Sequence, residues 1–220
     1  MSKLFNLIFI GPPGGGKGTE IQLLQHKKYY KISTGDLLRN EVAKNTQLGN
    51  TIQKDIDNGI LIKDSIVSKL IDIELKLHNI GLIFDGYPRN IKQAKNLDKL
   101  LMNNNLKLDA VIHLDTPDDL IIKRISGRYM CKNCGATYNK NGVMPKKKGI
   151  CDLCKSTEFK TRPDDKLSVV KKRLKDYHNE KQILLNYYNK KNIVYKIDGS
   201  SGDQKITHKQ VLQIFKILNK

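Results

Sequence analysis

Gly11-Pro12-Pro13-Gly14-Gly15-Gly16-Lys17-Gly18-Thr19 is the stretch on which the fold turns. It follows an apolar run at residues 4–10, read as a buried strand, and precedes a segment of helical character from Thr19 onward. A glycine-rich loop between strand and helix lets backbone N–H groups turn inward around phosphate oxygens. The helix N-terminus adds the positive end of its dipole. Lys17 is placed to reach β- and γ-phosphates. In the general pattern G-x-x-x-x-G-K-[ST] the hydroxyl residue directly follows lysine, whereas here Gly18 intervenes before Thr19. The bland rival is a flexible Gly/Pro turn.

Outward from the loop, strand-like runs recur at Gly81-Leu82-Ile83-Phe84-Asp85, Ala110-Val111-Ile112-His113-Leu114-Asp115 and Ile193-Val194-Tyr195-Lys196-Ile197. Helical patterns lie between them, at 64–77, 90–103, 118–126 and 165–189. Strands alternating with helices imply βαβ units, an α/β fold and a parallel sheet, with ligands at the carboxyl ends of the strands. Residues 128–163 break the alternation: they hold all four cysteines, several glycines and Lys146-Lys147-Lys148, and read as a small inserted module.

The chain has 220 residues, enough for one α/β domain with insertions, and 39% are apolar. No apolar run approaches the roughly 18 residues that span a membrane. The start runs into the Gly/Pro loop instead of a small-residue cleavage site, so it does not read as a signal peptide, and the expected location is the cytoplasm. The net charge of +18 fits lysine-rich solvated faces, and it fits polyphosphate substrates. The arginines say more. Only six of the 40 basic residues are arginine: Arg39, Arg89, Arg124, Arg128, Arg162 and Arg173. A chain that uses lysine wherever any cation serves keeps arginine where a planar fork must match phosphate oxygens.

The Gly-Lys-Gly-Thr variant closely resembles the phosphate loop of adenylate kinases, and further motifs of that family follow in order. Ser33-Thr34-Gly35-Asp36-Leu37-Leu38-Arg39 resembles its monophosphate-side motif. Asp85-Gly86-Tyr87-Pro88-Arg89, with Gln93 beyond it, resembles the next. Arg124-Ile125-Ser126-Gly127-Arg128 resembles the start of its lid, and Arg162-Pro163-Asp164-Asp165, with Arg173, the end. All six arginines fall within these motifs. The resemblance implies a P-loop kinase with a five-stranded parallel sheet flanked by helices. It implies a core of about 1–32, 64–125 and 164–220, a monophosphate-binding insert at 33–63 and a zinc-bearing lid at 126–163, both closing over substrates. It also implies reversible γ-phosphoryl transfer from MgATP to AMP, giving two ADP, by a monomer.

That reaction needs cations around three phosphates, positioning and exclusion of water, with little acid–base chemistry. By resemblance, Gly14, Gly15, Gly16, Lys17, Gly18 and Thr19 hold the ATP phosphates, and Lys17 stabilises the migrating group. Arg39 and Arg89 grip the AMP phosphate. Arg128, Arg162 and Arg173 converge on the phosphoryl in flight, the last two also bordering AMP. Arg124 covers the ATP adenine by stacking, with Thr137 and Tyr138 near its nucleoside. Asp85 holds waters of the Mg²⁺ shell. Thr34 and Gln93 choose the acceptor, since a Gln amide donates and accepts at once. Gly86, Tyr87 and Pro88 border the AMP site and the backbone of Ile60-Leu61-Ile62 walls it. Bland alternatives stand beside these: Asp85 as a strand cap, Gln93 as an ordinary helix residue. Asp164-Asp165 either open a helix, where carboxylates suit the dipole, or pair with lid arginines. Glu20 stands where many relatives carry Gln, and Ser168 where many carry Glu.

Cys131-x-x-Cys134 and Cys151-x-x-Cys154, with 16 residues between the pairs, match tetrathiolate zinc spacing. Gly135 eases the turn after the first pair. Disulfides are the rival, disfavoured in a cytoplasm. Four protein ligands leave no open position, so the metal is read as structural, and the lid resembles that of zinc-containing bacterial adenylate kinases.

Two other functions compete. A kinase for UMP, CMP or GMP would keep every phosphate-binding residue. A basic zinc-ribbon nucleic-acid-binding protein would explain the charge and the cysteines but not the phosphate loop or the arginine placement, and 6% aromatic residues with no Trp offer little for base stacking. The expected partners are therefore ATP, AMP and ADP, with neither nucleic acid nor membrane.

Overall fold

Strand β1 (Leu7–Ile10) is buried along its whole length, as are most of β3 (Leu82–Asp85) and β4 (Ala110–Asp115). Runs without polar alternation belong to strands covered on both faces. The computed structural model describes residues 3–25, 28–57, 62–78, 81–161 and 165–220. In it these strands join β2 (Tyr30–Ser33) and β8 (Val194–Asp198) in a five-stranded parallel sheet of order β2-β3-β1-β4-β8. Period-two geometry sends Leu7 and Phe9 to one face and Ile8 and Ile10 to the other. Ile8 and Ile10 pack with Phe84, Val111 and residues of α4 (Asp64–Leu77), α5 (Ile91–Asn103) and α7 (Leu167–Asn189). Leu7 and Phe9 pack with Ile83, Ile112 and residues of α1 (Lys17–Gln25) and α8 (Gln204–Leu218).

Two helices, α2 (Thr34–Ala43) and α3 (Gln47–Asp57), follow β2. Helix α6 (Asp118–Ser126) leads from β4 into a second sheet, antiparallel, with order β6-β5-β7. Its strands are β5 (Arg128–Cys131), β6 (Thr137–Asn139) and β7 (Phe159–Lys160). The inserted module foreseen from the cysteines is this small sheet. Among the described residues no helix is long and apolar enough to cross a membrane.

Several boundaries differ from the sequence reading, and one strand is added to it. The strand expected at 4–10 begins at Leu7 because Asn6 leaves the ladder: its Nδ2 donates to Lys107 O (2.9 Å) and its Oδ1 accepts from Leu82 N (3.0 Å). Helix α7 begins at Leu167 instead of 165, and Asp165, just before it, forms an ion pair with Arg128. Strand β2 was not singled out. It is a four-residue edge strand whose Tyr30 and Lys31 are only half-buried, so it lacks an apolar run.

Candidate active site

The loop after β1 turns where glycine is required. Gly14 has φ +77° and Gly16 φ +103°, the left-handed region open to glycine. A Cβ on Gly14 would meet Ile125 Cγ1 at 2.6 Å, so the loop sits hard against α6. From the loop's far end, Lys17 Nζ donates back to Gly11 O (2.6 Å) and Pro12 O (2.8 Å), folding the ammonium under the turn. Burial there pushes its pKa down to about 8, against the pull of Asp85, and the nearby charges of Arg173, Arg89 and Arg128 push the same way. Lysine, three arginines and the carboxylate at the end of β3 therefore converge on one place. Thr116, buried just after β4, was missed by the sequence reading; its Oγ1 donates to Gly15 O (3.2 Å) and props the loop.

On the acceptor side, Ser33 caps α2 by accepting from Asp36 N. Asp36 takes Lys31 (2.6 Å) and the guanidinium of Arg39. Arg89 Nε donates to Gly86 O (2.8 Å), and Thr34 Oγ1 donates to the same carbonyl (3.4 Å). Tyr87 and Pro88 are buried; the Tyr87 hydroxyl accepts from Asn96 Nδ2 (3.2 Å). Ile62 packs at the edge of the core, while Ile60 and Leu61 lie outside the described residues. Gln93 is not an ordinary exposed helix residue. Its amide bridges Arg89 N and Asp64 Oδ1, each at 2.8 Å. Asp64 was not foreseen as a site residue, since only the fold brings the start of α4 against the start of α5.

On the lid side, Arg128 forks onto Asp165, with Nε and Nη2 each donating to a carboxylate oxygen. Of the two readings of the acidic pair, the arginine pairing is the one Asp165 adopts. Arg162 and Asp164 lie outside the described residues. Arg124, half-buried, donates from Nη2 to Gly199 O (3.2 Å). Thr137 is exposed on β6, but the side chain of Tyr138 turns inward, 5% exposed among Cys131, Ala136 and Cys151. The Tyr138 side chain thus belongs to the interior of the lid sheet, not to its surface.

The four thiol sulfurs lie within 4.8 Å of one another. Cys131 approaches Cys154 at 3.5 Å and Cys134 approaches Cys151 at 3.4 Å, across the two knuckles. All four are free thiols, far beyond the roughly 2.05 Å of a disulfide. Four sulfurs about 2.3 Å from a central zinc would stand about 3.8 Å apart, so the cluster fits a tetrahedral ion. Both knuckles close alike: Gly135 N donates to Cys131 O (3.1 Å) and Lys155 N to Cys151 O (3.0 Å). Gly135 has φ +74° as expected, but Lys155 takes the matching turn at φ +64° without being glycine. Tyr138 O–H reaches Cys151 Sγ at 3.4 Å while accepting from Asp152 N at 2.8 Å. That phenol ties β6 to the thiol cluster.

Residues 9–193 match the family model described as adenylate kinase. The chain is 42% identical over 205 residues to an adenylate kinase of Erythrobacter litoralis, covering 92% of this chain and 96% of that one. It is 41% identical over 204 residues to an adenylate kinase of Treponema denticola, covering 91% and 95%. With an adenylate kinase of Archaeoglobus fulgidus it shares 41% identity over 198 residues, covering 89% and 91%.

Proposed function

The chain belongs to the adenylate kinase family and is a nucleoside monophosphate kinase, an ATP:AMP phosphotransferase; from there we propose how its residues divide the work. The reaction is reversible transfer of the γ-phosphoryl group from MgATP to AMP, giving two ADP. The observation that carries this reading is the gathering of Lys17, Arg89, Arg128 and Arg173 with Asp85 beside the glycine loop. The acceptor's phosphate oxygen is already anionic, so no side chain has to remove a proton. The work is positioning and charge stabilisation.

In this assignment the N–H groups from Gly14 to Thr19 cradle the donor phosphates and Lys17 follows the migrating group. Arg39 and Arg89 hold the AMP phosphate. Arg128, Arg173 and Arg162 close around the phosphoryl in flight. Mg²⁺ bound to ATP neutralises charge between the donor phosphates, and Asp85 holds its water shell. Arg124 stacks on the donor adenine, with Thr137 and the β6 backbone alongside. Thr34 and Gln93 face the acceptor base. The four cysteines hold a structural zinc that gives the lid the stability its small core lacks.

Two of the phosphate-binding arginines rest on carboxylates, Arg39 on Asp36 and Arg128 on Asp165. A carboxylate offers the same paired oxygens as a phosphate. Substrate phosphates would exchange with them as the 33–63 insert and the 126–163 lid close.

A dinucleotide joining two adenosines through five phosphates tests the reading, since it fills donor and acceptor sites at once. At about a hundred times its dissociation constant it should add about 2.7 kcal/mol of stability and raise Tm by several degrees. Duplex DNA should not. A Tm that responds to DNA and ignores the dinucleotide would return the protein to the nucleic-acid reading.

A further inference from the structure

Gln93 is held at both ends of its amide. Nε2 donates to Asp64 Oδ1 at 2.8 Å, and Oε1 accepts from the backbone N–H of Arg89 at 2.8 Å. Asp64 opens α4. Gln93 sits in the first turn of α5, where the side chain of the cap residue Asn90 accepts its N–H at 2.9 Å. A primary amide has two N–H hydrogens and two acceptor lone pairs. Asp64 and Arg89 N–H use one of each, so one of each remains for a ligand. They also fix which end is which, because a carboxylate only accepts and a backbone N–H only donates. Reversing the amide would set its oxygen against Asp64 and its NH₂ against Arg89 N–H, breaking both bonds and opposing like groups.

We propose that Asp64 is a specificity-determining residue that locks Gln93 in the amide orientation matching adenine and opposing 6-oxopurines. The proposal rests on the reading of Gln93 as the residue facing the acceptor base. Adenine presents an N6–H donor beside the N1 acceptor, which the free lone pair and free N–H of the observed amide satisfy. Hypoxanthine presents the O6 acceptor beside an N1–H donor, which needs the two exchanged and therefore the reversed amide. An amide without tethers would turn to suit either base and reject neither. A site whose polar groups are fixed rejects the mismatched base because its own groups are left unpaired.

The test compares wild type, Asp64→Asn and Gln93→Leu with AMP and with inosine monophosphate, which differs from AMP only along the N1–C6 edge. The side-chain amide introduced by Asp64→Asn can turn to meet either orientation of Gln93. The preference for AMP in kcat/KM should therefore fall by about tenfold or more, mainly through gain with the inosine substrate. The Arg89 tether remains, so some preference survives. Gln93→Leu should also lower the ratio, but through loss with AMP. If Asp64→Asn slows both acceptors equally and the ratio holds, Asp64 only pins α4 to α5 and the proposal is overturned. If the ratio survives Gln93→Leu, the base reading by Gln93 itself fails. Should Asp64→Asn not fold, judged by circular dichroism and melting, Asp64→Ser removes the carboxylate while keeping a residue suited to a helix start, and the same fall in ratio is required.

Discussion

Single residues carry the sharpest expectations. Lys17 has a folded pKa near 8, below its ordinary 10.5, mainly because burial disfavours the cation. The free enzyme should thus lose the charge that meets the ATP phosphates as pH rises through about 8. We expect kcat/KM for MgATP to fall about tenfold per pH unit above that point, with kcat holding to higher pH because bound phosphates restore the proton. Stability should move the other way. Between pH 8 and 10.5 the unfolded chain holds more protons than the folded one, so Tm should rise across that window, and Lys17→Met should abolish the rise. A pH profile of kcat/KM flat to about pH 9.5 would contradict this placement of Lys17.

Glu20 is the second case. It is 1% exposed and faces His208 Nδ1 at 2.9 Å. Burial raises its carboxyl pKa, and the His208 contact only partly opposes the rise. A raised carboxyl costs nothing at pH values where both states are protonated, and costs more as pH climbs through the folded pKa. Glu20→Gln keeps an oxygen for His208 without the charge. Its Tm at pH 8 should exceed wild type by about 2–4 °C, corresponding to about 1 kcal/mol, and the gap should close toward pH 4. No gap at either pH value would mean that His208 fully compensates the buried charge.

At the scale of elements, the lid sheet is the part with least core of its own. Its buried cluster gathers only Cys131, Ala136, Tyr138 and Cys151, so the thiol cluster does what a core does elsewhere. Removing zinc with a chelator, or Cys131→Ser, should lower Tm by on the order of 5–10 °C and open the Lys146-Lys147-Lys148 segment to trypsin. The single-turnover phosphoryl-transfer rate should change less. Melting and cleavage that do not change on chelation would remove zinc from the account.

What was legible in the sequence was what local spacing controls. The glycine loop, the two C-x-x-C knuckles and the buried runs of β1, β3 and β4 read correctly because neighbouring residues determine their backbone. Side-chain allegiance was not legible. Arg128 chooses Asp165 and Gln93 chooses Asp64 across long stretches of chain, and Tyr138 turns toward Cys151 because the lid sheet folds that way. Lys155 in a left-handed turn had no glycine to announce it, and β2 had no apolar run. For these side chains the deciding partner comes from another element, which a one-dimensional pattern does not contain.

For the whole molecule, a net charge of +18 does not translate into a nucleic-acid surface. The lysines are spread over exposed helix faces and loops, while five of the six arginines fall within described residues that border the phosphate loop, the acceptor side or the lid. Charge is spread for solubility and concentrated by type for chemistry. The glycine loop and the Asp85–Arg89 loop both follow the carboxyl ends of strands of one parallel sheet, where this architecture takes its ligands. The most direct measurement is therefore a coupled assay of ADP formation from MgATP with AMP, UMP, CMP or GMP as acceptor, using folded, zinc-loaded protein. The account requires rapid turnover with AMP and a strong preference for it over the other three. Preference for another monophosphate would keep the phosphate chemistry and overturn the roles given to Thr34 and Gln93, and no turnover with any acceptor would contradict the account as a whole.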